Sequence, residues 1–136
     1  MSYAVWYSVF RPEPHSQFIL PYSAQSPITR EYRDFNTAND IWREIELIAN
    51  NERKNRSLGQ ELWYLCSLFT NPIYIISDEY SRYISEFFYV TEYHIPMATS
   101  LNDTDAIMLE CFTIIKNEMP IAINHLKERN GSKRKN

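Results

Sequence analysis

The groups with which this chain could do chemistry are three histidines, two cysteines and seventeen acidic residues. His15, His94 and His125 are far apart, and neither an H-x-x-x-H nor a C-x-x-C pair occurs. A zinc site draws on closely spaced ligands of that kind, so no metal is expected. Cys66 and Cys111 each fall within an apolar helical pattern, where a thiol acts as a small inert hydrophobe and a disulfide is not expected. Asp103-Thr104-Asp105 has the spacing of a D-x-D metal motif, yet its place before an apolar run suits helix capping better. Asp78, Glu79 and Glu92 could supply paired carboxylates, as could many pairs among seventeen acids. His125 and Glu128 are one helical turn apart and read as a surface pair. Gly59 and Gly131, the only glycines, are too distant to form a phosphate cradle together. That excludes the dinucleotide fingerprint, the P-loop and the G-x-S-x-G elbow. No catalytic residue and no cofactor is assigned.

Charge is more informative than motif. Residues 57–126 hold the acids Glu61, Asp78, Glu79, Glu86, Glu92, Asp103, Asp105, Glu110 and Glu118 against only Arg82 and Lys116. The same stretch carries Trp63, Tyr64, Tyr74, Tyr80, Tyr83, Tyr89 and Tyr93, more rings than one small core can hold. Tyr and Trp beside carboxylates suit a protein-recognition surface, because they give contact area at low rotamer cost. The carboxylates would steer a basic partner and repel phosphate backbones, so nucleic acid is not expected at this face. The candidate partner-binding residues are Asp78, Glu79, Tyr80, Tyr83, Glu86, Tyr89, Glu92, Tyr93, Asp103 and Asp105. An ordinary solvated surface would account for the same acids. After residue 126 the sign reverses, with Lys127, Arg129, Lys133, Arg134 and Lys135 against Glu128.

Residues 3–10 alternate in a β-rich pattern and predict a strand covered on both faces. Pro12, Pro14, Pro21 and Pro27 keep the following stretch non-helical, with further short strands at residues 17–20 and within 28–35. Ile41, Trp42, Ile45, Ile48 and Ala49 form one stripe of a helix capped by Asn36 or Thr37, with Glu44 largely outside it. Ser57 and Gln60 form a capping box for a second helix, and Ile73 to Ile76 suit a buried strand. Asp78 and Glu79 begin a third helix, with residues 87–93 open to either helix or strand. Asn102 is expected to cap a fourth helix, and Pro120 to sit in the first turn of a fifth, residues 121–129.

The expected architecture is a helix-rich α+β domain over residues 1–129. Four to five helices pack with a small antiparallel sheet made mainly by the N-terminal region, and residues 130–136 form a disordered basic tail. An all-α bundle with an extended N-terminal arm is the alternative. No basic segment precedes the first apolar run and no run is long enough to span a bilayer, so a cytoplasmic location without membrane is expected. Together these features suggest a small binding protein whose partner is basic. Its concrete form would be an immunity protein that occludes the cationic cleft of a nuclease-type toxin or effector. A phage-encoded inhibitor of a host defence complex would look the same, and a small enzyme with an uncatalogued acid/base site is the other alternative. A nucleic-acid binder would instead use Arg53, Lys54, Arg56 and the tail.

Overall fold

Helix α1, Ser2–Phe10, is apolar along nearly its whole length, and Ser2, Tyr3, Ala4, Val5 and Trp6 are buried in succession. The strand expected here is a helix. The alternation of residues 3–10 sets one largely apolar row against another, so it marks no polar face, and burial on every side suits either element. The computed structural model describes residues 1–13, 17–52 and 55–134. Pro14, His15, Arg53, Lys54 and Lys135, which figure in the sequence reading, lie outside the described residues.

The sheet is an antiparallel hairpin, β1 Tyr22–Gln25 with β2 Tyr32–Phe35, in register Tyr22 to Phe35 and Gln25 to Tyr32. Residues 17–20, expected as a strand, form none, whereas β2 lies inside the predicted stretch 28–35. Ser26 holds the turn: its hydroxyl accepts the Ile28 and Thr29 N–H groups. Helix α2, Ala38–Asn50, starts at Thr37, and the Asp40 carboxylate accepts the backbone N–H groups of Asn36 and Thr37, each at 3.0 Å. Helix α3, Leu58–Cys66, is capped by Ser57, whose Oγ accepts the Gln60 N–H as the sequence predicts. Ile73 to Ile76 do not form a strand. Asn71 caps a short 3-10 turn, Pro72–Tyr74, by accepting the Ile73 N–H, and Pro72 fits the position where no N–H is needed.

Helix α4 runs Asp78–Tyr93, so residues 87–93 are helical. Helix α5 is a single rod, Ala106–Lys133, about 42 Å long at 1.5 Å per residue. Its cap is Asp105, which accepts from Ile107 N and Met108 N; Asn102, the expected cap, lies in a preceding 3-10 turn, Leu101–Asp103. Pro120 does not start a new helix but sits exposed inside this one. Ile115, Met119 and Ala122 are buried on both sides of it, and that shared burial carries the helix across the lost N–H donor. The helix also continues past residue 129, where the tail was expected to begin.

These elements define a helix-rich α+β protein with five α-helices and one two-stranded sheet among the described residues. Helix α1 stands between two core clusters. Tyr3 belongs to one, with Phe35, Ile41, Ile48, Leu62 and Phe69; Ala4 and Val5 belong to the other, with Tyr83, Ile84, Phe112, Ile115 and Met119. Cys66 and Cys111 are buried free thiols in different clusters, and burial pushes both thiols above their ordinary pKa. Among the described residues no helix is long and apolar enough to cross a membrane.

Candidate functional site

Glu79, Arg82, Tyr83, Glu86, Tyr89, Val90 and Tyr93 recur at three- and four-residue spacing, so they share one stripe of α4. Tyr83 is its buried member, and its hydroxyl donates to Glu79 Oε1 at 3.0 Å. That bond holds the phenol proton and raises the Tyr83 pKa above its ordinary value. Arg82 pairs with Glu86 at 3.6 Å and Glu79 at 3.9 Å, and its guanidinium stands 5.2 Å from the Tyr83 ring centroid. Further along, Tyr89 and Tyr93 stack at 6.2 Å with 26° between planes, and they are 57% and 70% exposed.

A groove of about 510 Å³ runs beside this stripe. Tyr83, Glu86 and Tyr89 of α4 line one side; Ile95, Pro96 and Met97 of the connection, with the cap Asp105 and Met108 of α5, line the other. Of the ten residues predicted from sequence, the groove thus unites Tyr83, Glu86, Tyr89 and Asp105. Glu79 joins through Tyr83, and Tyr93 through its stack on Tyr89. The remaining four are elsewhere. Tyr80 packs against the second core cluster, and Asp78 lies exposed in the first turn of α4. Glu92 lines a different groove, about 490 Å³, with Phe87, Phe88 and Lys116. Asp103 accepts the hydroxyls of Thr99 at 3.0 Å and Ser100 at 2.7 Å, bonds that lower its pKa. Sequence reasoning missed Arg82 as the cation inside the acidic stripe, and the Ile95-Pro96-Met97 wall, which carries no charge to mark it.

Two acids assigned to the surface are buried, and both organise the fold. Glu118, 6% exposed, accepts from Trp6 Nε1 at 2.9 Å, from Ser57 Oγ at 2.7 Å and from Gly59 N at 2.9 Å. It ties α1 to α5 and caps the N-terminus of α3, where a carboxylate meets free N–H groups and the positive end of the dipole. Gly59 is required by this approach. A Cβ there would lie 2.5 Å from both Glu118 Oε2 and Trp6 Cδ1. Glu44, expected outside the α2 stripe, is fully buried and joins α2 to the hairpin. It accepts from the Ser26 hydroxyl and from Arg33 Nη1, the latter at 2.6 Å.

A second aromatic site lies at the other end of α5. Phe10 stacks on Trp6 at 5.7 Å and on Trp63 at 4.9 Å, and His125 Nε2 meets Tyr64 Oη at 2.6 Å. Among the described residues no three of His, Cys, Asp and Glu come together as metal ligands would. Compared with known proteins, the chain matches no family model, no curated protein and no solved structure.

Proposed function

We propose that this protein binds a basic protein partner through the acidic, tyrosine-bearing stripe of α4 and the groove beside it. The observation that carries the reading is the exposed Tyr89–Tyr93 stack flanked by Glu86 and Asp105. Stacked tyrosines that remain in water offer a partner large, already ordered contact area, so little rotamer entropy is lost on binding. Carboxylates beside them favour Lys and Arg, and Arg82 already models that contact from within the chain by sitting between Glu79, Glu86 and the Tyr83 ring. In its concrete form the protein is an inhibitor of the immunity-protein type: the stripe covers the cationic cleft of a nuclease-type toxin and excludes its substrate by volume and charge.

Site-specific photo-crosslinking tests this reading. A benzophenone amino acid replaces Tyr89 in one variant and Glu46, exposed on α2, in a control. The expected adduct forms from position 89 only and contains a protein with a basic face. With the recovered partner, association slows steeply as salt rises and in the variant E86K/D105K. Adducts from position 46 alone, or an association rate indifferent to salt and to charge reversal, overturn it.

A further inference from the structure

The cavity at the C-terminal end of α5 is chemically unlike the α4 groove. Its volume is about 540 Å³, within the roughly 300–1,000 Å³ range of small-molecule sites. Phe10 of α1 with Trp63 and Tyr64 of α3 supplies an aromatic wall. Facing it, α5 presents His125, Arg129 and Lys133 at successive four-residue steps, one row of a helix. Two basic segments distant in sequence therefore converge on Tyr64, because Arg56 stands 4.9 Å from the centroid of the same ring.

Charge decides which ligand fits. An aromatic wall alone would also suit a quaternary ammonium ion. Arg129 and Lys133 oppose a cation, and among the described residues neither forms an ion pair. Arg56 differs, being held by Glu61 at 3.4 Å. Two unpaired cations one turn apart match a doubly charged phosphate monoester, with the Ser132 hydroxyl beside them. His125 has one ring nitrogen engaged by Tyr64, which fixes the ring and leaves the second nitrogen for a ligand. Glu128, the one acid of the lining, is an acceptor suited to a sugar hydroxyl. We propose that this cavity binds a nucleotide, its phosphate monoester on Arg129 and Lys133 and its base against the exposed Tyr64 of the ring wall. The ligand is either a free mononucleotide or the 5′-phosphorylated end of a single strand. The site is separate from the α4 groove, so it stands whether or not the α4 reading holds.

Calorimetry on the full chain tests it, using AMP, inorganic phosphate, choline and a 5′-phosphorylated tetranucleotide as probes. AMP is expected to bind saturably, inorganic phosphate at least tenfold more weakly, and choline not at all. The variant R129A/K133A, both residues exposed and outside the core, is expected to unfold at the wild-type temperature and to weaken AMP binding at least tenfold. The His125 ring resonances should shift with AMP in the wild type. Equal affinity for AMP and the tetranucleotide assigns the free nucleotide, and tighter binding of the tetranucleotide assigns the strand end. Absence of saturable AMP binding, undiminished binding by R129A/K133A, or binding of choline in place of AMP overturns the proposal.

Discussion

Around Glu118 three helices turn their polar groups toward one another, whereas α4 leaves most of its own to water. Helix α1 buries five of its nine residues, and Trp6, Ser57 and Gly59 all donate to one carboxylate. Helix α4 buries only Tyr83 and Ile84 along its 16 residues. The contrast separates two uses of a carboxylate. Glu118 is held by three donors and joins three elements, so its removal is felt throughout the fold. Glu86 lies on a stripe that the fold scarcely uses, and its ion pair with Arg82 stays within α4. Exposed large aromatic groups on a lightly packed helix are the less common finding, and they are the ones that ask for a partner.

The sharpest way to break this contrast is at its tight end. Glu118→Ala would leave the Trp6, Ser57 and Gly59 donors without their acceptor and is expected to cost about 3–5 kcal/mol. Urea unfolding measures it through the midpoint at constant slope. A variant as stable as wild type would show that the three donors find water or other partners at no cost. Gly59→Ala comes next, at about 2–3 kcal/mol, because its Cβ would meet Glu118 and Trp6 at 2.5 Å in a packed region. A neutral or stabilising result would mean that the α1, α3 and α5 contacts yield more readily than their geometry indicates.

A smaller effect is expected in acid. Asp40 is held below the ordinary carboxylate pKa by the Asn36 and Thr37 N–H groups it accepts. A depressed folded-state pKa stabilises the protein above the unfolded value, near 4, and that stabilisation fades as pH falls through the lower folded value. Asp40→Asn should therefore flatten the fall of melting temperature below about pH 4 and lower stability slightly at neutral pH. Parallel melting curves across that range check the sign. An unchanged acid limb would remove Asp40 from the account of acid sensitivity.

Local signals were legible and tertiary ones were not. Ser57 with Gln60, Asp78 and Glu79 in a first turn, and Ile41, Ile45 and Ile48 on one stripe are decided by neighbours a turn away, and each appears where the sequence places it. The character of α1 depends on what surrounds it, since two core clusters press on a run that is apolar on every side. The continuity of α5 through Pro120 rests likewise on packing along its buried side. Glu44 and Glu118 did leave a trace, although the sequence reading set Glu44 outside the α2 stripe. Each falls on the apolar stripe of its own helix, Glu44 beside Ile41, Ile45 and Ile48, and Glu118 beside Ile115, Met119 and Ala122. A carboxylate in that register must be met by buried donors, as Glu44 is by Ser26 and Arg33 and Glu118 by Trp6, Ser57 and Gly59. Gly59, two residues after Ser57, marked the place where such a carboxylate could approach a backbone. For the site, Tyr89 and Tyr93 were candidates by residue type, but their place on one stripe with Glu79, Tyr83 and Glu86 follows only once residues 87–93 are helical, and the groove wall from residues 95–97 depends on where the chain returns after α4.

The proposed division gives recognition to α4 and the fold to the helices around Glu118. Its most direct test is the double variant Y89A/Y93A, measured for both unfolding and retention of the partner crosslinked at position 89. Both rings are exposed, so stability is expected to change by less than about 1 kcal/mol in total, while partner affinity falls at least tenfold. Full retention of the partner, or a loss of binding that follows only from a matching loss of stability, would contradict the division.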